Sequence, residues 1–234
     1  MSEWWSYELS DFLMFSARTY YRLFELYNTA LWPIHLLALG VGLALAVVSM
    51  RDSPWAARTA CAMLAACWLW VAWAFHLQRY AGINWAASWF AAAFAAQGAL
   101  LLACAAFGAQ LRIRVSGAWA RLAGLGLLLF ALLVQPWLGL ALGRSWLQAE
   151  VFGLAPDPTA VGTLGVLLLL RPAERPGSAL RNAVLALWPI PLLWCLVSGA
   201  TLWTMQAPDA LLLPAAAVLA VFAAWRAGPA GKPR

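Results

Sequence analysis

Two histidines, His35 in "ALWPIHLL" and His76 in "AFHLQRY", are the residues of this chain best suited to hold a haem, a metal or a moving proton. As axial haem ligands, the two imidazoles would have to face a single gap. As metal ligands they would need a carboxylate beside them, and Asp157 is the candidate on their side of the chain. As members of a hydrogen-bonded polar rim they need only partners, which Tyr27, Asn28, Asn84, Gln135, Thr159 and Thr163 supply. The rim asks least of the sequence. No cofactor is specified by these residues, and no complete metal-ligand set accompanies them. A Gly-rich phosphate loop, HExxH and GxSxG are all absent, so the common nucleotide-binding and hydrolase signatures do not apply.

The elements that must position these side chains are apolar ones. Of 234 residues, 65% are hydrophobic and 10% charged, whereas a soluble domain carries about 25% charged residues. Such a chain needs the bilayer as its solvent. Sixteen tryptophans suit an interfacial belt, where an amphipathic ring sits at headgroup depth. Seven apolar stretches stand at about 30–50, 58–77, 86–108, 122–142, 156–170, 183–204 and 209–226, against roughly 20 residues for a crossing. The fold expected is therefore an all-α polytopic transmembrane bundle of about seven spans. The fifth stretch is short, and must tilt, thin the bilayer or enter as a re-entrant piece buried in protein. Cys61, Cys67, Cys104 and Cys195 fall inside apolar runs without a CxxC, as small buried thiols do.

Orientation follows from charge. The links after the first, third and fifth stretches, with the C-terminal tail, carry eleven Arg and Lys against Asp52 and Glu174; the other side carries four Arg against seven acids. The positive-inside rule then puts the C-terminus in the cytoplasm and the N-terminus outside. The net charge of +6 is topological, so no nucleic-acid partner is implied. The N-terminus, "MSEWWSYELSDF", is acidic and lacks the form of a secretory signal. Residues 11–28 suit an amphipathic helix in the outer interface, with Ser10 as its N-cap. Three regions result: an interfacial helix within 1–29, a transmembrane domain over 30–226, and a short basic tail over 227–234. The polar candidates crowd the outer half; mid-span polarity is limited to groups such as Gln97, Thr163, Ser198 and Thr201, without a charged side chain of the kind ion pumps use.

Four stretches carry a family likeness: "YNTALWP", "HLQRYAGINWAA", "FGLAPDPTAVGTLGVLL" and "PLLWCLVSGA". On them the chain resembles a bacterial family of multi-spanning membrane proteins classed as a domain of unknown function. The third stretch is the most distinctive, because lipid-facing helices have no reason to write Pro-x-Pro-Thr. His76 fits the family pattern. The resemblance implies Gln in much of the family at His35 and Cys at Asp157, so a site built on both would not be a family property. It implies a membrane bundle and no activity. Independently of any family, Pro158 at a helix start with Thr159 and Thr163 one turn apart describes a helix whose free N–H groups would favour an anion or a carbonyl oxygen.

Three functions remain open at this point. The first is binding or permeation of a small solute at an outward-facing polar and aromatic site in a bacterial inner membrane. The second is an accessory subunit or assembly factor of a larger, redox-active or other membrane complex, with membrane proteins as partners beside the lipid bilayer. The third is a membrane enzyme using His76.

Overall fold

A computed structural model describes residues 15–113, 117–172 and 178–227. The expected cap at Ser10 and nearly all of the tail lie outside them. Within them the first helix, α1 (Ala17–Leu31), is capped by Ser16, whose hydroxyl accepts from the Thr19 N–H at 3.2 Å. It buries Tyr20, Leu23, Phe24, Tyr27 and Asn28 on one face. Arg18 and Arg22 stand exposed on another, Arg22 pairing with Glu25 at 2.7 Å. At Trp32–Pro33 the chain turns by 93° into the apolar α2 (Ile34–Val48). The two helices together are long and apolar enough to cross a membrane, bent at this break.

Ser53 caps α3 (Pro54–Trp70) by accepting from the Ala56 N–H at 3.0 Å, with Pro54 in the first turn. The helix widens into a π-helical turn over Val71–Leu77, which carries His76. Next come α4 (Ala87–Phe107), a short strand β1 (Leu111–Ile113) and α5 (Ala118–Leu129). A second π-helical turn, Phe130–Val134, leads into α6 (Gln135–Ala141) and absorbs the hydrogen bond that Pro136 cannot make. The remaining elements are α7 (Pro156–Leu169), β2 (Leu170–Pro172), α8 (Ser178–Ala186), α9 (Pro189–Thr204) and α10 (Leu212–Ala227). β1 and β2 pair antiparallel, with Arg112 opposite Arg171.

Among the described residues the protein is thus an all-helical bundle apart from this antiparallel pair of short strands. Among the described residues four stretches are long and apolar enough to cross a membrane: Pro54–Gly82, Ala87–Phe107, Ala118–Ala141 and Leu180–Thr204. The bent α1–α2 pair adds a fifth when counted as one. α7 and α10, at 14 and 16 residues, stand where the fifth and seventh stretches were expected. Every residue of α7 is buried, so protein and not lipid surrounds it, and the length rule for a lipid-exposed crossing does not bind it. It packs against α3, α5, α9 and α10. Contact with α5 is backbone to backbone: a Cβ on Gly165 would sit 2.6 Å from the Gly124 carbonyl oxygen. The four cysteines are buried and free. Tryptophans such as Trp32, Trp85, Trp89, Trp146 and Trp225 point outward, each more than 60% exposed, an arrangement suited to membrane interfaces.

Candidate functional site

Buried polar side chains gather at the N-terminal end of α7. Two prolines one residue apart fit a first helical turn, where the missing N–H groups leave no carbonyl unpaired, and Pro156 and Pro158 occupy that turn. Asp157 between them is 1% exposed and faces α9. Its Oδ1 accepts from the Trp194 indole N–H at 2.8 Å and its Oδ2 from the Ser198 hydroxyl at 2.7 Å. Trp194 and Ser198 are four residues apart and so share a helix face. Glu150, in the link before α7, is a third hydrogen-bond partner. Burial first, then the Asp157 carboxylate, push the Glu150 carboxyl well above its ordinary range.

The threonines fix α7 from within. Thr159 donates to the Ala155 carbonyl at 2.7 Å and accepts from the Gly153 N–H at 3.0 Å. Gly153 has φ +79°, a conformation that favours glycine. Thr163 donates to the Thr159 carbonyl at 2.7 Å and accepts from the Trp68 indole N–H of α3 at 2.8 Å. Helix α1 is tied in as well. Tyr27 donates to the Leu154 carbonyl at 3.1 Å, and Asn28 Nδ2 donates to the carbonyls of Leu147 and Ala149 at 2.7 and 2.8 Å. Asn28 Oδ1 lies 3.1 Å from His35 Nε2.

Beside Asp157 is a cavity of about 10 Å³, enough for roughly one water molecule. Gln135, Arg144, Gln148, Glu150, Asp157 and Asp209 border it. Arg144 and Asp209 form an ion pair, and the guanidinium lies 4.7 Å over the Tyr21 ring. Gly139 leaves room for it, since a Cβ there would stand 3.1 Å from Arg144 Nε. Among the described residues Gln135 Oε1 and Asp209 Oδ1 accept no hydrogen bond, and Arg144 Nε and Nη1 donate none.

The nine residues singled out by sequence therefore take different places. Gln135 and Asp157 border the cavity, Thr159 and Thr163 brace α7, Tyr27 and Asn28 join α1 to the link over 147–154, and His35 of α2 meets Asn28. Asn84 closes the turn that precedes α4, its Oδ1 accepting from the Ala86 N–H at 2.9 Å. His76 is wholly buried among Phe75, Tyr80, Phe90, Phe94 and Trp194, the last two ring centroids at 4.5 and 5.1 Å. Neither of its ring nitrogens has a partner among the described residues, and it shares none of these neighbours with His35. Among the described residues no three of His, Cys, Asp and Glu are grouped to hold a metal ion. Sequence reasoning gave no functional weight to Arg144, Gln148, Glu150 or Trp194. A signal existed: Arg144, Glu150, Asp157 and Asp209 fall on the same side of the membrane by the charge count.

The four sequence stretches that suggested a family are connected here: "YN" to the residues before α7, "HLQRY" to Trp194 by ring contact, and Trp194 to Asp157. Over residues 17–228 the chain matches DUF6064, a family of unknown function. The chain belongs to that family. No curated protein and no solved structure matches it. In this DUF6064 member, then, the geometry around α7 is what bears on function.

Proposed function

We propose that this DUF6064 protein is a multi-pass protein of the bacterial inner membrane, N-terminus outside and C-terminus in the cytoplasm, that binds or passes a small solute through a polar site on its periplasmic side. The observation that carries this reading is the water-sized cavity next to Asp157, bordered by buried donors and acceptors without partners among the described residues. Polar groups at such depth cost about 1–3 kcal/mol each when left unmatched, so an apolar bundle keeps them where they have a use. Gln148 borders both this cavity and an open groove of about 800 Å³ between α1 and residues 78–83, so one side chain stands between the cavity and the outside. Enclosure of His76 by aromatic rings favours binding over a His76-centred chemistry.

The test is solute binding by the purified protein in lipid nanodiscs, followed by tryptophan fluorescence, with permeation measured by swelling of proteoliposomes. Saturable binding that Gln135→Leu weakens at least fivefold is the expected result. Binding that is indifferent to Gln135 moves the site elsewhere. A protein that binds nothing and always purifies with a second membrane protein belongs to a larger complex instead.

A further inference from the structure

Resting on the solute-binding reading, we infer that the cavity beside Asp157 takes the neutral head of its ligand: a hydroxyl or carboxamide group, not an ammonium and not a carboxylate or phosphate. The inference comes from counting what each bordering group still needs. Among the described residues Asp157 makes no ion pair with an arginine, and its two oxygens accept from Trp194 and Ser198 and pair with the Glu150 carboxyl. Both of its oxygens are thereby already engaged. The charges of Arg144 and Asp209 cancel in their ion pair.

What remains is mixed in sign. Gln135, 95% buried, offers an acceptor at Oε1, and Asp209 offers a second at Oδ1. Arg144 offers donors at Nε and Nη1. An ammonium or metal cation has no lone pair for Arg144, and a carboxylate or phosphate dianion has no proton for Gln135 or Asp209. A hydroxyl or a carboxamide both donates and accepts, and so answers both kinds of group. The cavity's size, about 10 Å³, admits about one water-sized group, so a hydroxyl enters it as it stands and a three-atom carboxamide enters as Gln148 moves.

One-carbon probes of similar size separate the classes. The protein in nanodiscs is titrated with methanol, formamide, methylammonium chloride and sodium formate at constant ionic strength, and Trp fluorescence and the thermal midpoint are read. Formamide or methanol is expected to saturate with an apparent Kd at least tenfold below those of both ions, and Gln135→Leu to raise that Kd at least fivefold. Where Gln135→Leu does not yield folded protein, Gln135→Asn withdraws the acceptor by one methylene and is expected to do the same. Saturation by methylammonium or formate in place of the neutral probes overturns the neutral-head inference but keeps the site. Silence from all four overturns the inference and the solute-binding reading together. Neutral binding that survives both Gln135 variants unchanged overturns the assignment of the ligand to this cavity.

Discussion

The two ends of α7 are both buried, yet they are held by opposite means. At the N-terminal end Asp157, Thr159 and Thr163 reach α9, α3 and the preceding link through side-chain hydrogen bonds of 2.7–3.0 Å. At the other end "GVLLLL" has no side-chain polarity, and Gly165 lies on the Gly124 backbone. The apolar end is fixed by shape alone, as helices in lipid commonly are: with no water to exclude between helices, close approach of small residues is the available glue. The polar end spends burial cost to keep specific groups in place, and it is there that unmatched donors and acceptors remain. Stability should therefore depend most on the glycine end, and pH and ligand response on the aspartate end.

Gly165→Val is expected to have the largest effect. Its Cβ would stand 2.6 Å from the Gly124 carbonyl oxygen and 2.8 Å from the Leu128 backbone nitrogen, neither of which can turn aside. Overpacking against a side chain costs about 1–3 kcal/mol; against two backbone atoms about 3 kcal/mol or more is expected, seen as loss of folded protein in detergent or a strongly lowered thermal midpoint. A near-wild-type midpoint would mean that α5 and α7 separate easily, and the shape account of that end would fall.

Asp157→Ala comes next. It strips the acceptor from Trp194, Ser198 and Glu150 at once, leaving buried donors at about 1–3 kcal/mol apiece, partly relieved by rearrangement. A net loss of about 2–3 kcal/mol is expected in chemical unfolding, with Asp157→Asn losing less because one oxygen still accepts. If Asn proves no better than Ala, the carboxylate matters for its charge and not for its acceptors.

How much of this contrast was legible in the sequence follows from what each end is made of. The apolar class, the break before α7 and the placing of Pro158 in its first turn follow from composition and from proline's missing N–H, both local properties. Thr159 and Thr163 were visible as a one-turn pair. Arg144 with Asp209, and Asp157 with Trp194, join residues 65 and 37 apart in sequence. Such pairings depend on how helices rotate about their axes, which hydropathy leaves undetermined. His76 was legible as unusual, but not that five aromatic rings would enclose it.

Glu150→Gln tests the polar end by its pH dependence. The folded protein holds this carboxyl's proton above the ordinary value of 4.5, while the unfolded chain releases it there. Between those two values the native state binds more protons, so stability falls as pH rises. The limit is about 1.4 kcal/mol per pH unit; because Glu150 is only half-buried, solvent screening reduces the expected change to about 1 kcal/mol between pH 5 and pH 7. The glutamine variant should lose that slope and gain on the wild type as pH rises. Parallel thermal midpoints across pH 5–8 would show that Glu150 does not hold a proton against Asp157.

Gly126→Ala, two residues from Gly124 on the same helix, should do least. A Cβ there meets nothing within 4 Å, whereas at Gly124 it would meet the Gly165 carbonyl oxygen at 2.8 Å. Alanine favours a helix over glycine by up to about 1 kcal/mol in water, an advantage that shrinks in lipid, where backbone exposure already holds the helix closed. A change within about 0.5 kcal/mol is expected for Gly126→Ala, against a loss of about 1–3 kcal/mol for Gly124→Ala, both read from unfolding in the same detergent. Equal losses at the two glycines would mean that helix propensity, and not the α5–α7 contact, sets the cost, and the contrast between the ends of α7 would lose its physical basis.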